Sequence, residues 1–413
     1  MSKPSVVRVL RERGVRGLVS AVRRRIAFTS TTAPSHLVIP EVSRNALGVD
    51  VLGFFTAEHG VGEAARTVVT TLRDHGVDTC TINYTDTESR TDHYFLTDDE
   101  SRNHTLLCSI NADQLVVARQ RLGNIFFEKR YVIGQWFWEL EEAPSWYEAA
   151  WPIVDELWAP TRFIEKMLKD NAPPRVQIRH VPLPVEQSNV DANYTRGYFD
   201  IDGRYMFLFV FDLMSIMKRK NPLGLIQAYT EAFTETDGAQ LVIKTMNGDK
   251  RSEDLSALLN AAANRSDITV MDRYFSHVET STLISLADCY VSLHRSEGLG
   301  LTLSEAMSHG VPVIATNYSG NTDFMSERNS FLIAWDRVPV GEGAGGYSPT
   351  ATWAEPRVSE ASDAMRYVFQ NQFEARIRGA QGRSDVLGGL SGDVSGVIMK
   401  SRLEEIWRSQ RGN

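Results

Sequence analysis

The pattern of the chain is that of an α/β protein made of two doubly wound, mainly parallel halves, and three features carry this reading. Short apolar runs alternate with stretches of helical period along most of the 413 residues, as repeated β-α-β units require. A glycine loop stands between strand and helix in each half, Gly60-Val-Gly62 in the first and Gly298-Leu-Gly300 in the second. Between the halves, residues 186–204 are rich in asparagine, aspartate and glycine, the composition of turns. With 42% hydrophobic residues the chain can fill two separate cores.

Residues 1–47 are expected to be a basic arm and linker. Residues 1–30 hold eight basic side chains against the single acid Glu12, so of a net charge of -8 this arm contributes +7 and the rest of the chain -15. Val7, Leu10, Leu18 and Val22 recur among the arginines at near-helical spacing, which suits an amphipathic segment on an anionic membrane surface. Arg11 and Arg25 intrude on that face, and a solvated basic arm is the plainer alternative. The acidic remainder argues against nucleic acid as a partner. Cys80, Cys108 and Cys289 lie far apart without Cys-x-x-Cys spacing, as reduced thiols of a cytoplasmic protein do. No apolar run reaches the roughly 18 residues that span a bilayer, so membrane contact would be peripheral, on the inner face.

The first half, residues 48–185, opens with a strand at Gly48–Phe55, the glycine loop, and a helix to about His75. Further strands are expected at Cys80–Asn83, Thr105–Ile110, Arg130–Phe137, Glu156–Ala159 and Val176–Val181, with helices near 112–121, 145–154 and 162–169. Ligands of such a sheet belong at the carboxyl ends of its strands. Gly60 and Gly62 lie at one such end. At another, Gly134-Gln-Trp-Phe-Trp138-Glu139 sets aromatic rings beside carboxylates, the usual way of holding a pyranose. Trp138 and Glu139 are expected to face that ligand, whereas Trp146 and Trp158 fall on core positions.

The second half, residues 205–394, opens with the apolar strand Tyr205–Phe211, followed by Lys218-Arg219-Lys220-Asn221-Pro222. Asn221 suits a helix N-cap and Pro222 a first helical residue. Three cations ahead of a helix N-terminus repel its dipole unless an anion sits between them. Gln240–Thr245 reads as a buried strand whose Lys244 either reaches the ligand or caps the strand, and Ile268–Met271 as another. The central stretch follows: a strand at Cys289–Leu293, a turn at Gly298 and Gly300, a short helix Leu301–Ser308, and a strand at Val313–Ala315.

Backbone N–H groups at Gly298, Leu299, Gly300 and Leu301 can approach an anion there, phosphate being the commonest. Glu297 and Glu305 flank this cradle. Carboxylates beside phosphate need another task, and accepting paired hydrogen bonds from vicinal hydroxyls is one that fits. A ligand with phosphates in the middle and a diol at each end is a nucleotide sugar. Asn321 lies on a polar loop that follows, residues 336–356 are expected as a glycine-rich loop, and helices near 358–382 and 395–409 close the chain. Asp200-x-Asp202 reads as a turn, so no metal site is expected.

Glu297 and Glu305 bracket seven residues within Ser-Glu-Gly-Leu-Gly-Leu. This resembles the Glu-x7-Glu signature of the retaining family-4 glycosyltransferases, the bacterial glycosyltransferase group 1, of GT-B fold. Gly60-Val-Gly62-Glu-Ala-Ala-Arg66 is similar to the N-terminal glycine loop of the same family. The resemblance spans nearly the whole chain from residue 48. It implies two Rossmann-like domains facing a cleft, with the last helix, residues 395–413, crossing back to the first. It also assigns roles: Glu297 to the transferred sugar, Glu305 to the ribose, Lys220 to the diphosphate, Asn321 to the donor border, Gly60 and Gly62 to the acceptor or distal phosphate. The family's arginine, five residues before the lysine, is Ser215 in this chain, and Arg219 is the substitute. The family's cleft histidine is replaced by the run Gln135-Trp136-Phe137-Trp138, as in a bacterial subgroup, and its role passes to no residue here.

The expected activity is therefore a retaining, metal-independent hexosyl transfer from a nucleoside diphosphate sugar to a glycan or lipid-linked acceptor in cell-surface polysaccharide or glycolipid synthesis. No cofactor beyond the sugar nucleotide is expected. A nucleotide-sugar epimerase, a phosphorylase on the same fold, and a non-catalytic sugar-binding scaffold are the alternatives.

Overall fold

The computed structural model describes residues 47–411; the basic arm, with its expected membrane contact, lies outside them. The chain forms two units. One runs through Pro184 and takes in Val340–Ala351 and the chain from Gly392; the other holds Val185–Pro339 and Thr352–Ser391. Each is built on a six-stranded parallel sheet, as two doubly wound halves require.

The first sheet has the order β2-β1-β3-β4-β5-β6, from β1 (Gly48–Gly53), β2 (Asp78–Asn83), β3 (Thr105–Ser109), β4 (Tyr131–Gly134), β5 (Glu156–Ala159) and β6 (Gln177–His180). Helices α1 (Gly60–Asp74), α2 (Ala112–Leu122), α3 (Asn124–Phe127) and α4 (Arg162–Asn171) connect them. Central strands covered on both faces read as continuous apolar runs, and β1 and β3 are buried at every position. The exception is Asp50 in β1. It accepts from Ser101 Oγ at 2.7 Å, from the N–H groups of Arg102 and Asn103 at 3.0 and 3.1 Å, and from Arg130 Nη1 at 3.1 Å. A carboxylate so far from water is tolerable only when saturated in this way.

The helix expected near 145–154 is instead two 3-10 turns, Ser145–Ala149 and Trp151–Ile153. Pro152 has no N–H to continue a helical ladder and its ring obstructs the preceding turn.

The second sheet has the order β12-β11-β10-β7-β8-β9, from β7 (Tyr205–Val210), β8 (Ala239–Thr245), β9 (Ile268–Asp272), β10 (Cys289–Ser292), β11 (Val313–Thr316) and β12 (Phe331–Ile333). Its helices are α5 (Met217–Lys220), α6 (Pro222–Ala232), α7 (Ser252–Ala262), α8 (His277–Ser285), α9 (Leu301–Ser308), α10 (Val358–Gln370) and α11 (Gln372–Gly389). Three sequence expectations are corrected here. Residues 186–204 are no free linker, because Phe199 and Ile201 are buried in the second core and Arg196 bonds Asp288 at 2.7 Å. The helix expected at 358–382 breaks at Asn371, which leaves helical geometry. The loop expected at 336–356 contains an antiparallel pair, β13 (Trp335–Pro339) with β14 (Thr352–Pro356), and only residues 340–351 between them belong to the first unit.

The last helix, α12 (Gly392–Arg411), packs within the first unit. Lys400 Nζ donates to the His75 carbonyl at 2.8 Å, and Arg402 donates to both oxygens of the buried Glu156, at 3.0 Å through Nε and 2.6 Å through Nη2. A Cβ at Gly396 would lie 2.3 Å from the His75 ring, so the helix comes this close only because residue 396 has no side chain. No helix among the described residues is long and apolar enough to cross a membrane.

Candidate functional site

In the second unit the chain leaves β7 towards β8 and β9 on one side, then returns at β10 and continues to β11 and β12 on the other. The strand order reverses between β7 and β10, and the carboxyl ends of these two strands are where an open α/β sheet places its ligand. The cation run follows β7, and Glu297 with its glycines follows β10. Strand order thus brings together residues that lie 77 positions apart.

Lys220 Nζ donates to Glu297 Oε1, and Arg219 Nη1 lies 3.2 Å from Oε2 of the same carboxylate while donating to the Ser296 carbonyl at 2.8 Å. Glu297 and Arg219 are both buried. Burial works against the charged form of Glu297, but Lys220, Arg219 and His294 outweigh it and hold the carboxyl down to about 2. Asn221, left-handed at φ 53°, fixes the exit from the cation turn. Its Oδ1 accepts from Gly224 N–H at 3.3 Å and its Nδ2 donates to the Leu293 carbonyl at 2.9 Å.

The loop after β11 supports Glu297 from behind. Ser319 Oγ accepts from Glu297 N–H at 2.8 Å, and the Glu297 carbonyl accepts from Gly320 N–H at 3.0 Å. Ser319 adopts φ 75° and ψ -146°, a conformation that is ordinarily left to glycine and that survives only where the surroundings over-determine it. A Cβ at Gly320 would lie 2.2 Å from the Gly298 carbonyl oxygen, so this loop can seat against Gly298 and Leu299 only with glycine there. Gly300, at φ 91°, then turns the chain into α9 at Leu301.

Glu305 is half-buried within α9. Burial pushes the Tyr290 phenol up; hydrogen bonds with Thr302 and Val210 oppose this, and the carboxylates of Glu297 and Glu305 add to it.

Asn321 takes a different place from the one expected. It is fully buried, its Nδ2 donates to the Thr316 carbonyl at 3.0 Å, and its Oδ1 lies 3.1 Å from His294 Nε2. Its amide is consumed behind the loop, where it holds His294. The latter was passed over in the sequence although a polar residue closing an apolar strand was the available signal. Burial, followed by the nearby Lys220, lowers the His294 pKa, against the pull of Glu297.

Lys244 stands at the end of β8, buried, with its ammonium 5.3 Å from the Phe275 ring centre. Burial lowers its pKa to about 8, against the opposing pull of Asp212, Asp272 and Glu279.

In the first unit the sheet reverses between β1 and β3, and the Gly60 loop follows β1. His59 Nδ1 accepts from Gly62 N–H at 3.1 Å and so caps α1; burial, then Arg66, lowers its pKa to about 4. Arg66 in turn donates to the carbonyls of Phe55 and Ala57 at 2.9 and 3.0 Å. A Cβ at Gly62 would meet the Ala57 and Phe54 carbonyls at 2.7 Å, so packing alone demands glycine there, whereas Gly60 is exposed.

Trp138 and Glu139 are half-buried and both meet Tyr347, from the 340–351 segment. The Trp138 and Tyr347 rings lie edge to face at 5.3 Å, and Tyr347 donates to Glu139 at 2.8 Å. In the run Gln135–Trp138, Gln135 is buried and accepts from Ser109 Oγ at 2.8 Å.

Comparison with known proteins agrees with this architecture. Residues 202–335 match the family model of glycosyl transferases group 1. A trehalose synthase of Rubrobacter xylanophilus is 25% identical over 211 residues, 46% of this chain and 50% of the relative, so about half of that protein lies outside the match. Among solved structures, a sucrose-phosphate synthase from Thermosynechococcus elongatus superimposes with TM-score 0.67 at 12% identity, over 88% of this chain and 100% of its own. Anabaena Alr3699/HepE, in complex with UDP and glucose, does so with TM-score 0.62 at 10% identity, over 87% and 100%. Residues 202–335 thus match a group 1 glycosyltransferase domain, and the fold is that of the GT-B proteins.

Proposed function

We propose that this protein transfers a glycosyl unit from a nucleoside diphosphate sugar to an acceptor, with retention of configuration and without a metal ion. The observation that carries the reading is the buried Glu297, held ionised by Lys220 and Arg219 at the strand reversal of the group 1 domain.

The leaving of the diphosphate builds negative charge on its inner phosphate. Lys220, Arg219 and the N–H groups of Gly298, Leu299, Gly300 and Leu301 stabilise that charge, with the largest effect where water is excluded. Donor entry requires Lys220 to divide its donors between Glu297 and phosphate, which an ammonium with three N–H groups can do. Glu297 accepts from the sugar hydroxyls, and Glu305 from the ribose diol. His294 and Asn321 position the Glu297 loop without touching the donor. The departing phosphate oxygen takes the acceptor proton on the face from which it leaves, which preserves the anomeric configuration.

UDP-sugars are the first donors to consider, since the Anabaena structure of like fold holds UDP and glucose. The acceptor is a glycan or a lipid-linked glycan, with Gly60, Trp138 and Glu139 as its candidate contacts in the first unit. Residues 1–30 would bring the protein to the anionic inner face of a membrane.

A thermal-shift screen of the full chain against UDP, GDP, ADP and dTDP sugars, with Glu305→Ala as the control, tests the donor site, because a ligand that binds only the native state raises Tm. Stabilisation by one base series that disappears in the control supports the reading. No shift with any donor would favour a non-catalytic scaffold. Turnover without any acceptor, to an isomeric sugar nucleotide, would favour an epimerase.

A further inference from the structure

The β13–β14 pair is not needed by the chemistry above, yet it reaches the cation turn through one side chain. Glu355 on β14 takes the Arg295 guanidinium in two prongs, Nε to Oε2 at 2.6 Å and Nη2 to Oε1 at 2.8 Å. The remaining nitrogen, Nη1, donates to the Lys218 carbonyl at 2.6 Å. The backbone of Arg295 adds two more bonds: its N–H donates to the Arg219 carbonyl at 2.7 Å, and its carbonyl accepts from Ala354 N–H at 3.0 Å. The guanidinium carbon also lies 5.7 Å from the centre of the Trp353 ring. One residue therefore joins β14 to the closing carbonyls of α5.

Those carbonyls need partners. Helix α5 is a single turn of four residues, too short to satisfy its own terminal groups. It is entered through Ile216 at φ 65° and ψ 96°, an outlying conformation for a β-branched residue, and left through the left-handed Asn221. Such a turn persists only if its neighbours impose it, and Arg219 and Lys220 are its last two residues.

We propose that Arg295 and Glu355 are a positioning pair. Glu355 fixes the plane of the Arg295 guanidinium, and the oriented guanidinium clamps α5 so that Arg219 and Lys220 converge on Glu297 and the donor diphosphate. The role presupposes the donor reading of Lys220 and Arg219 given above. Only a planar fork with several donors can bond Glu355 twice and Lys218 once, so lysine at 295 cannot replace it. Glu355 is about a third exposed, and ion pairs this accessible add little to global stability. Its loss is therefore expected in the site and not in folding.

The same two strands supply a control. Arg357, just after β14, bonds Asp336 on β13 in two prongs as well, at 3.2 and 3.1 Å, and this pair makes no bond to α5.

The test uses the full chain and five variants: Glu355→Gln, Arg295→Lys, the double substitution, Asp336→Asn, and Lys220→Ala as the control for the donor site. Affinity for UDP, GDP, ADP and dTDP is measured by calorimetry, turnover with the donor found by thermal shift, and Tm alongside. Each single change at the clamp is expected to weaken nucleoside diphosphate binding and lower kcat by about tenfold with little change in Tm, the double variant being no worse than the singles because both break one device. Asp336→Asn is expected to match the wild type. Wild-type affinity and kcat in Glu355→Gln, with Lys220→Ala inactive, would overturn the clamp and leave the donor reading standing. If Lys220→Ala also binds and turns over normally, the donor reading itself falls. An equal loss in Asp336→Asn, or a large fall of Tm in Glu355→Gln, would make the hairpin merely structural and overturn the proposal.

Discussion

Half-buried Lys220 and buried Glu297 form an ion pair across the carboxyl ends of β7 and β10, with Arg219 on the second carboxylate oxygen. A ligand that reaches either partner must share it with the other.

Removing either partner should stop turnover. Glu297→Gln and Lys220→Ala are each expected to lower kcat about 100-fold or more, the scale seen when a preorganised charge is deleted from an active site. Lys220→Ala should also destabilise the fold by about 3 kcal/mol, since it leaves Glu297 buried with part of its compensation gone. Initial rates and chemical denaturation of the purified variants check both statements; wild-type rates in either variant would remove that residue from the chemistry.

The low pKa of Glu297 sets an acid limit to stability. The carboxyl titrates at about 2 in the folded protein against an ordinary value of 4.5. A depressed carboxyl contributes stability that is complete above its unfolded pKa and is lost as pH falls through the folded one. Denaturation midpoints of the wild type should therefore decline between pH 4.5 and 2, and Glu297→Gln should show a flatter profile over the same interval. Identical slopes would mean that the carboxyl is not held down in this way.

Lys244 behaves in the opposite sense. Its pKa is lowered from 10.5 to about 8, so folding disfavours the ammonium and stability should rise as pH increases from about 8 to 10.5. Lys244→Met, close in volume, should stabilise the protein at pH 7 by about 1 to 3 kcal/mol and abolish that rise. Weaker nucleoside diphosphate binding in this variant would bring Lys244 into the donor site; unchanged binding would leave it a strand residue.

Arg402 on α12 tests the anchoring of the last helix. Glu156 is buried and also accepts from Tyr131 and Trp158, each at 2.9 Å. Arg402→Met should cost about 3 kcal/mol by stranding this carboxylate, and Glu156→Gln in the same chain should recover part of the loss. A double-mutant cycle in denaturant measures the coupling, and simple additivity would show that the two residues act independently.

Much of the fold could be read from local pattern. A parallel strand covered on both faces tends to be apolar along its length, so β7 and β10 stood out as apolar runs, while β1 and β8 were legible despite Asp50 in the one and Gln240 and Lys244 in the other. The glycines at 298 and 300 marked a strand-to-helix turn for the same local reason. Where local pattern misled, a non-local or single-residue cause intervened. Pro152 broke an apparent helix, and Phe199 and Ile201 gave an apparent linker a core to enter. The glycine-rich segment at 336–356 concealed a hairpin whose alternation is visible only once Trp335–Pro339 and Thr352–Pro356 are set side by side.

The site divides along the same line. Glu297, Glu305 and the glycines between them lie within one short stretch, so the nucleotide-sugar hypothesis required only neighbouring residues. The partners of Glu297 did not. Which cation meets it depends on β10 lying against β7, and on an α5 turn bent through Ile216 and held by Arg295. Lys220, Arg219, His294, Arg295 and Glu355 become one electrostatic unit only through that packing. Identity and period of side chains decide local conformation, because their causes act over a few residues. The depressed carboxyl of Glu297, the inward place of Asn321 and the lowered ammonium of Lys244 depend on burial and on charges brought from distant segments, and burial exists only once the sheet has formed.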